Sequence, residues 1–168
     1  MSLYEATKDL HHACEQHPVG ATMSDGSISK QWWADWLGAL LAAHEVIDPE
    51  IDERLWRKEQ LRVDVMCSSV PPRPNSQVDL FVEELRARPQ LREAARYVLT
   101  GAHLMGGQVT RVRLGARLPN AHLHFRDRKE VSEIWKPYRD RTELSDDARE
   151  VFDWLLKIMD EILAGDNI

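Results

Sequence analysis

The sequence predicts an all-α domain, and three observations point that way. Apolar residues recur at helical spacing along most of the chain. No stretch alternates polar and apolar for the length of a strand. Helix start and stop signals punctuate the periodic segments. At 168 residues the chain suits a single domain, residues 1–168, with seven or eight helices.

The elements follow in order. Residues 2–16 place Leu3, Leu10 and Cys14 on one stripe of a first helix. EQHPVGATMSDGS, punctuated by Pro18, Gly20 and Gly26, reads as a connection. Ser29 is the expected cap of KQWWADWLGALLAAHEVID, a helix apolar nearly all round and hence central to the core. Its Trp32, Trp33 and Trp36 read as packing. Residues 50–60 read as a short amphipathic helix, and SSVPPRPNS as a loop. QVDLFVEELRAR is helical. Pro89 then suits the first position of a long helix running to about Gly115. A loop holds Pro119 to Phe125. KEVSEIWKPYRD is a helix that Pro137 must end or bend. Ser145 is the expected cap of the last helix, with Asp146 and Asp147 in its first turn and Gly165 after its end.

Charge and composition narrow the function classes. A formal net charge of −6 argues against nucleic acid as a partner, since phosphate binding wants a basic face. An anionic ligand would need a local cluster of cations. The longest apolar run, LGALLAA, is too short to cross a bilayer, and the charged N-terminus is not a secretory signal. Cys14 and Cys67 form no CxxC pair, so a reduced cytoplasm is the expected setting.

Two local patterns suggest a site. Tyr4, Lys8, His11 and Glu15 share one face of the first helix, where Glu15 can orient the imidazole as carboxylates do for metal-bound histidines. A solvated helix face gives the same pattern. His12 is read as pointing elsewhere. In the long helix, GAHLMGG puts three glycines in seven residues, each costing about 1 kcal/mol relative to Ala. Close helix packing explains them, and so does a side-chain-free floor for a flat ligand, with Gly101, Ala102 and Gly106 on it.

EATKDLHHACE, the Trp-rich helix ending AAHEVIDPEID, YVLTGAHLMGGQV about ninety residues after the histidines, and WKPYRDR together resemble the heme oxygenase family in order and spacing. The resemblance runs from about residue 4 to 160, on a chain shortened in its loops. It implies heme held between a proximal and a distal helix. His11 then matches the iron ligand and Glu15 its hydrogen-bonding acid. Lys8, Tyr97 and Arg139 match propionate contacts, with Arg141 a second candidate. Gly106, Gly107 and Gln108 match the distal GGQ. The implied reaction opens heme to biliverdin, iron and carbon monoxide. It uses dioxygen and electrons from an external donor such as a ferredoxin or reductase. The chain departs from the pattern at His103, where many members carry an Asp, and at Met105, where they carry Ser or Gly. His103 is then either the distal hydrogen-bonding group or a second axial ligand, the latter making a non-degrading heme binder or sensor.

Two other classes compete. A di-metal carboxylate site has candidates in His44, Glu45, Asp48, Glu50 and Asp52, gathered at one helix end. A helical interaction module needs no ligand at all. His122 and His124 alternate in a loop without a third metal ligand and are given no role.

Overall fold

The structure is a computed structural model that describes residues 1–167. Among the described residues the chain forms nine α-helices, short 3-10 turns and no strand. The helices are α1 (Leu3–Gln16), α2 (Pro18–Asp25), α3 (Lys30–Ile47), α4 (Lys58–Cys67), α5 (Ser76–Ala87), α6 (Pro89–Leu104), α7 (Gly106–Leu114), α8 (Arg128–Trp135) and α9 (Ser145–Ala164). None is long and apolar enough to cross a membrane.

The organising element is α9. Val151, Leu155, Ile158, Met159 and Ile162 are buried along it, and α1, α5 and α6 all lie against it. Helix α3 closes the other side with Trp33, Leu37, Leu40 and Ile47. Trp33 also donates its indole N–H to the carbonyl of Pro119 at 2.7 Å, which fits a tryptophan placed for packing.

Local chemistry fixes the ends that position the site. A reciprocal box opens α1: Ser2 Oγ accepts the Glu5 N–H at 3.3 Å, and Glu5 Oε2 accepts the Ser2 N–H at 2.7 Å. Ser29 caps α3 by accepting from the Trp32 N–H. Ser145 does not cap α9; it is the first helical residue, and its hydroxyl donates back to the Thr142 carbonyl at 2.6 Å.

Three segments differ from the sequence reading. Residues 18–25 form α2, not a connection. Pro18 occupies the first helical turn, the ring of His17 accepts the Val19 N–H at 3.1 Å, and Gly26 ends the helix at φ 80°. The same residues that punctuate a loop here delimit a helix. Residues 48–57 form two 3-10 turns, with α4 beginning only at Lys58. Pro49 lacks a backbone donor, and Asp48 and Asp52 take nearby backbone N–H groups for their own carboxylates. The helix expected to run from Pro89 to Gly115 is broken at Met105 (φ −106°, ψ −91°) into α6 and α7.

Candidate functional site

Helices α1 and α6 both rest on α9, yet their backbones scarcely approach one another. The 3-10 turn Lys136–Asp140 meets α1 from the side of α8. The predicted residues lie on α1, on the α6–α7 pair, and in or just after that turn.

On α1, the His11 side chain is 45% exposed, half sunk because its ring packs edge-on to Phe152 of α9 at 5.9 Å and to Tyr4 at 6.2 Å. Its Nδ1 lies 3.7 Å from Glu15 Oε1, which leaves Nε2 for a ligand. Glu15 also stands 3.8 Å from Nδ1 of His12, at i+3, so His12, read from the sequence as pointing elsewhere, approaches the same carboxylate. Tyr4 is 51% exposed, and Lys8 is exposed with no ion-pair partner among the described residues.

The glycines of the broken helix have different surroundings. A Cβ on Gly101 would stand 2.7 Å from Cζ2 of Trp135. That ring stacks on Tyr97 with planes 4° apart and donates its N–H to the Tyr97 carbonyl. A Cβ on Gly107 would meet Leu123 at 2.8 Å and the Ala102 carbonyl at 2.9 Å. Both are small because neighbours are close. Gly106 alone of the three opens on nothing within 4 Å. Beside it Ala102 is exposed, as are Met105 (65%) and Val109 (55%). The floor for a flat ligand therefore narrows to the backbone from Ala102 to Gly106.

Gln108 is structural at this break. Its Nε2 donates to the carbonyls of His103 at 2.9 Å and Leu123 at 2.8 Å, satisfying an acceptor that the interrupted helix leaves free. Arg111 donates to its Oε1 at 3.2 Å. A cavity of about 290 Å³ touches the break, lined by Leu104, Met105, Arg128, Lys129 and Ser132, but not by His11.

Among the basic candidates, Arg141 is occupied: it pairs with Glu93 at 2.8 Å and Glu143 at 2.7 Å. Arg139 is exposed and has no ion-pair partner among the described residues. Burial pushes the Tyr97 phenol above its ordinary range; the Arg139 charge opposes this and Tyr4 adds to it.

His103 behaves unlike either sequence expectation taken alone. It is 3% exposed, and its Nε2 lies 3.0 Å from Nε2 of His44. Burial first, then the charges of His44, His122 and Arg57, push its pKa well below the ordinary imidazole value. It is a neutral ring committed to the interior. His122, assigned no role from sequence, is buried to 1% and packs edge-on to His103 at 5.2 Å. The di-metal candidates His44 and Asp48 are hydrogen-bonded to each other instead, and no group of three metal-binding side chains is gathered among the described residues.

No protein-family profile and no curated protein sequence matches this chain. Solved structures do. A crystal structure of heme oxygenase-1 from the cyanobacterium Synechocystis, in complex with heme, aligns with a TM-score of 0.83 at 18% identity, over 97% of this chain and 91% of that one. Heme oxygenase from Leptospira interrogans aligns at 0.80 and 19%, over 95% and 97%. Synechocystis heme oxygenase-2, in complex with heme and NO, aligns at 0.81 and 18%, over 95% and 83%. The chain therefore has the heme oxygenase fold along essentially its whole length.

Proposed function

We propose that this protein binds heme between α1 and the broken α6–α7 pair and opens it oxidatively to biliverdin, iron and carbon monoxide. Dioxygen is the oxidant, and electrons come from an external donor such as a ferredoxin or a reductase. The observation that carries the reading is His11: a half-exposed imidazole, Nδ1 turned to a carboxylate, on a helix held apart from a glycine-opened helix break.

The residues fit such a ligand. A neutral imidazole suits heme iron, and Glu15, 3.7 Å from Nδ1, is placed to accept from that nitrogen after a small approach, which would leave Nε2 for the iron. Tyr4, Met105 and Val109 leave apolar surface exposed that a porphyrin would cover. Lys8 and Arg139, which have no ion-pair partner among the described residues, are the cations for the two propionates, and charge-assisted hydrogen bonds make them effective when exposed. Arg141 first has to leave two carboxylates. When bound, heme supplies both the iron that activates dioxygen and the ring that is cleaved. The chain's share is to hold the ring against the Ala102–Gly106 backbone and to exclude bulk water with Met105.

The non-degrading alternative needs His103 on the iron. Its Nε2 is already paired with His44 in the interior, which favours an open distal position. The test is to add hemin to the protein, then ascorbate in air, following the absorption spectrum. A Soret complex that decays as a broad red biliverdin band grows supports the proposal. A Soret complex that persists with sharp low-spin bands refutes degradation and favours His11–His103 ligation.

A further inference from the structure

Beneath the break lies a buried polar layer. His44 of α3, His103 of α6 and His122 of the turn after α7 are 0%, 3% and 1% exposed. Their protons are ordered by two carboxylates. Asp48 Oδ2 receives the backbone N–H groups of Arg57 and Lys58, both at 2.8 Å. A backbone N–H only donates, so Asp48 is held as an acceptor, and its Oδ1 receives Nδ1–H of His44 at 2.8 Å. A neutral ring protonated on Nδ1 carries a lone pair on Nε2. That lone pair faces Nε2 of His103 at 3.0 Å. Two lone pairs repel, so His103 carries its proton on Nε2 and its Nδ1 is bare. Asp64 treats His122 the same way, accepting its Nδ1–H at 2.6 Å and two backbone N–H groups.

We propose that His44 and His103, backed by Asp48, form a reversible proton store for the cleft. A proton arriving at Nδ1 of His103 releases the Nε2 proton along the hydrogen bond to His44. His44 becomes an imidazolium whose Nδ1–H stays on Asp48, and His103 is left neutral as the Nδ1–H form. The return step breaks the new N–H bonds and restores both tautomers. No electrons move and no co-reactant is consumed. The charges around the pair set the direction. Arg57 and the neutral His122 give His103 nothing to hold a cation against, whereas His44 faces a carboxylate. His103 therefore passes the proton and His44 keeps it. Of the three histidines, His103 is the one carried by the broken helix, next in sequence to exposed Ala102 and three residues before Gly106. The store's purpose rests on the proposed reaction, since reducing dioxygen takes up protons; its existence does not.

The first test uses ligand-free protein with ¹⁵N-labelled histidine and long-range ¹H–¹⁵N correlation at neutral pH. His44 and His122 are expected as Nδ1–H and His103 as Nε2–H. An Nδ1–H tautomer at His103 overturns the store. The second is His44→Gln, whose amide oxygen accepts from His103 but takes up no proton. The His103 tautomer and hemin affinity are expected to stay, the latter within about twofold, while ascorbate-driven heme loss slows at least about tenfold. Turnover at the wild-type rate overturns the store. If wild type binds hemin and never degrades it, the proposed reaction fails and the store loses its use there. The tautomers of the ligand-free wild type stand or fall separately, even if the variant does not fold.

Discussion

Gly101 and Gly106 lie five residues apart at the same helix break, and alanine at the two positions is expected to act in opposite directions. At Gly101 the new methyl would lie 2.7 Å from Cζ2 and 3.3 Å from Cε2 of Trp135. That ring has little room to yield. It is 8% exposed, stacked on Tyr97 and tied to the Tyr97 carbonyl at 3.1 Å. Overpacking of this kind costs about 1–3 kcal/mol, against a helix-propensity gain of about 1 kcal/mol. Gly101→Ala should therefore lose about 0–2 kcal/mol. At Gly106 nothing lies within 4 Å, so only the propensity gain operates, and Gly106→Ala should gain up to about 1 kcal/mol. For a chain of this length each kcal/mol moves Tm by roughly 2–4 °C. Urea unfolding of the two variants and wild type measures both signs. Equal shifts, or a less stable Gly106→Ala, would refute the assignment of Gly101 to packing and Gly106 to open surface. Under the proposed function the order inverts for ligand binding: Gly106→Leu should weaken hemin more than Gly101→Ala does.

Two further outcomes follow from the buried polar layer. His103 and His122 are held neutral below the ordinary imidazole value of 6.5, in both cases chiefly by burial. As pH falls through 6.5 the unfolded chain binds protons that the folded chain refuses. Stability should then fall with pH from about 6.5 downward, by at most about 1.4 kcal/mol per pH unit for each such group. The exposed carboxylates Asp9 and Asp52, held at about 2 by Arg149 and Arg54, contribute only below that window. Thermal melts from pH 7 to 5 check this, and a flat Tm would contradict it. Asp64→Ala should cost about 3–5 kcal/mol in urea unfolding. It strips three donors of their acceptor at a site 1% exposed. Glu130→Ala, which breaks the exposed ion pair with Arg54, should cost less than about 1 kcal/mol. Similar losses in the two variants would refute the ranking.

The fold class was legible because long helices repeat their apolar positions, as α3 and α9 do, and because Ser29 and Pro89 mark helix starts by simple local chemistry. Helix α2 was not, since Pro18 and Gly26 are the same signals whether they bound a loop or a short helix. The first face was readable from i, i+4 spacing, which put His11 and Glu15 together before any tertiary contact was known. The second was readable only in part. GAHLMGG announced a close approach, but which glycine meets a tryptophan depends on α8, thirty residues on. The buried layer was illegible for the same reason. His44 and His103 are 59 residues apart, and His122 and Asp64 58 apart. Only burial showed that these residues serve one another. His122 and His124 alternate in sequence, yet His122 turns to Asp64 and His124 to Asn120.

The central claim is that His11 presents its Nε2 to heme iron. The most direct measurement is a hemin titration of wild type and His11→Ala, read by absorption and by EPR of the ferric complex. Wild type should give a one-to-one Soret complex with an imidazole-ligated signature. His11→Ala should lose that signature and regain it when free imidazole is added. An identical spectrum in the two proteins would contradict the claim, whatever the fold resembles.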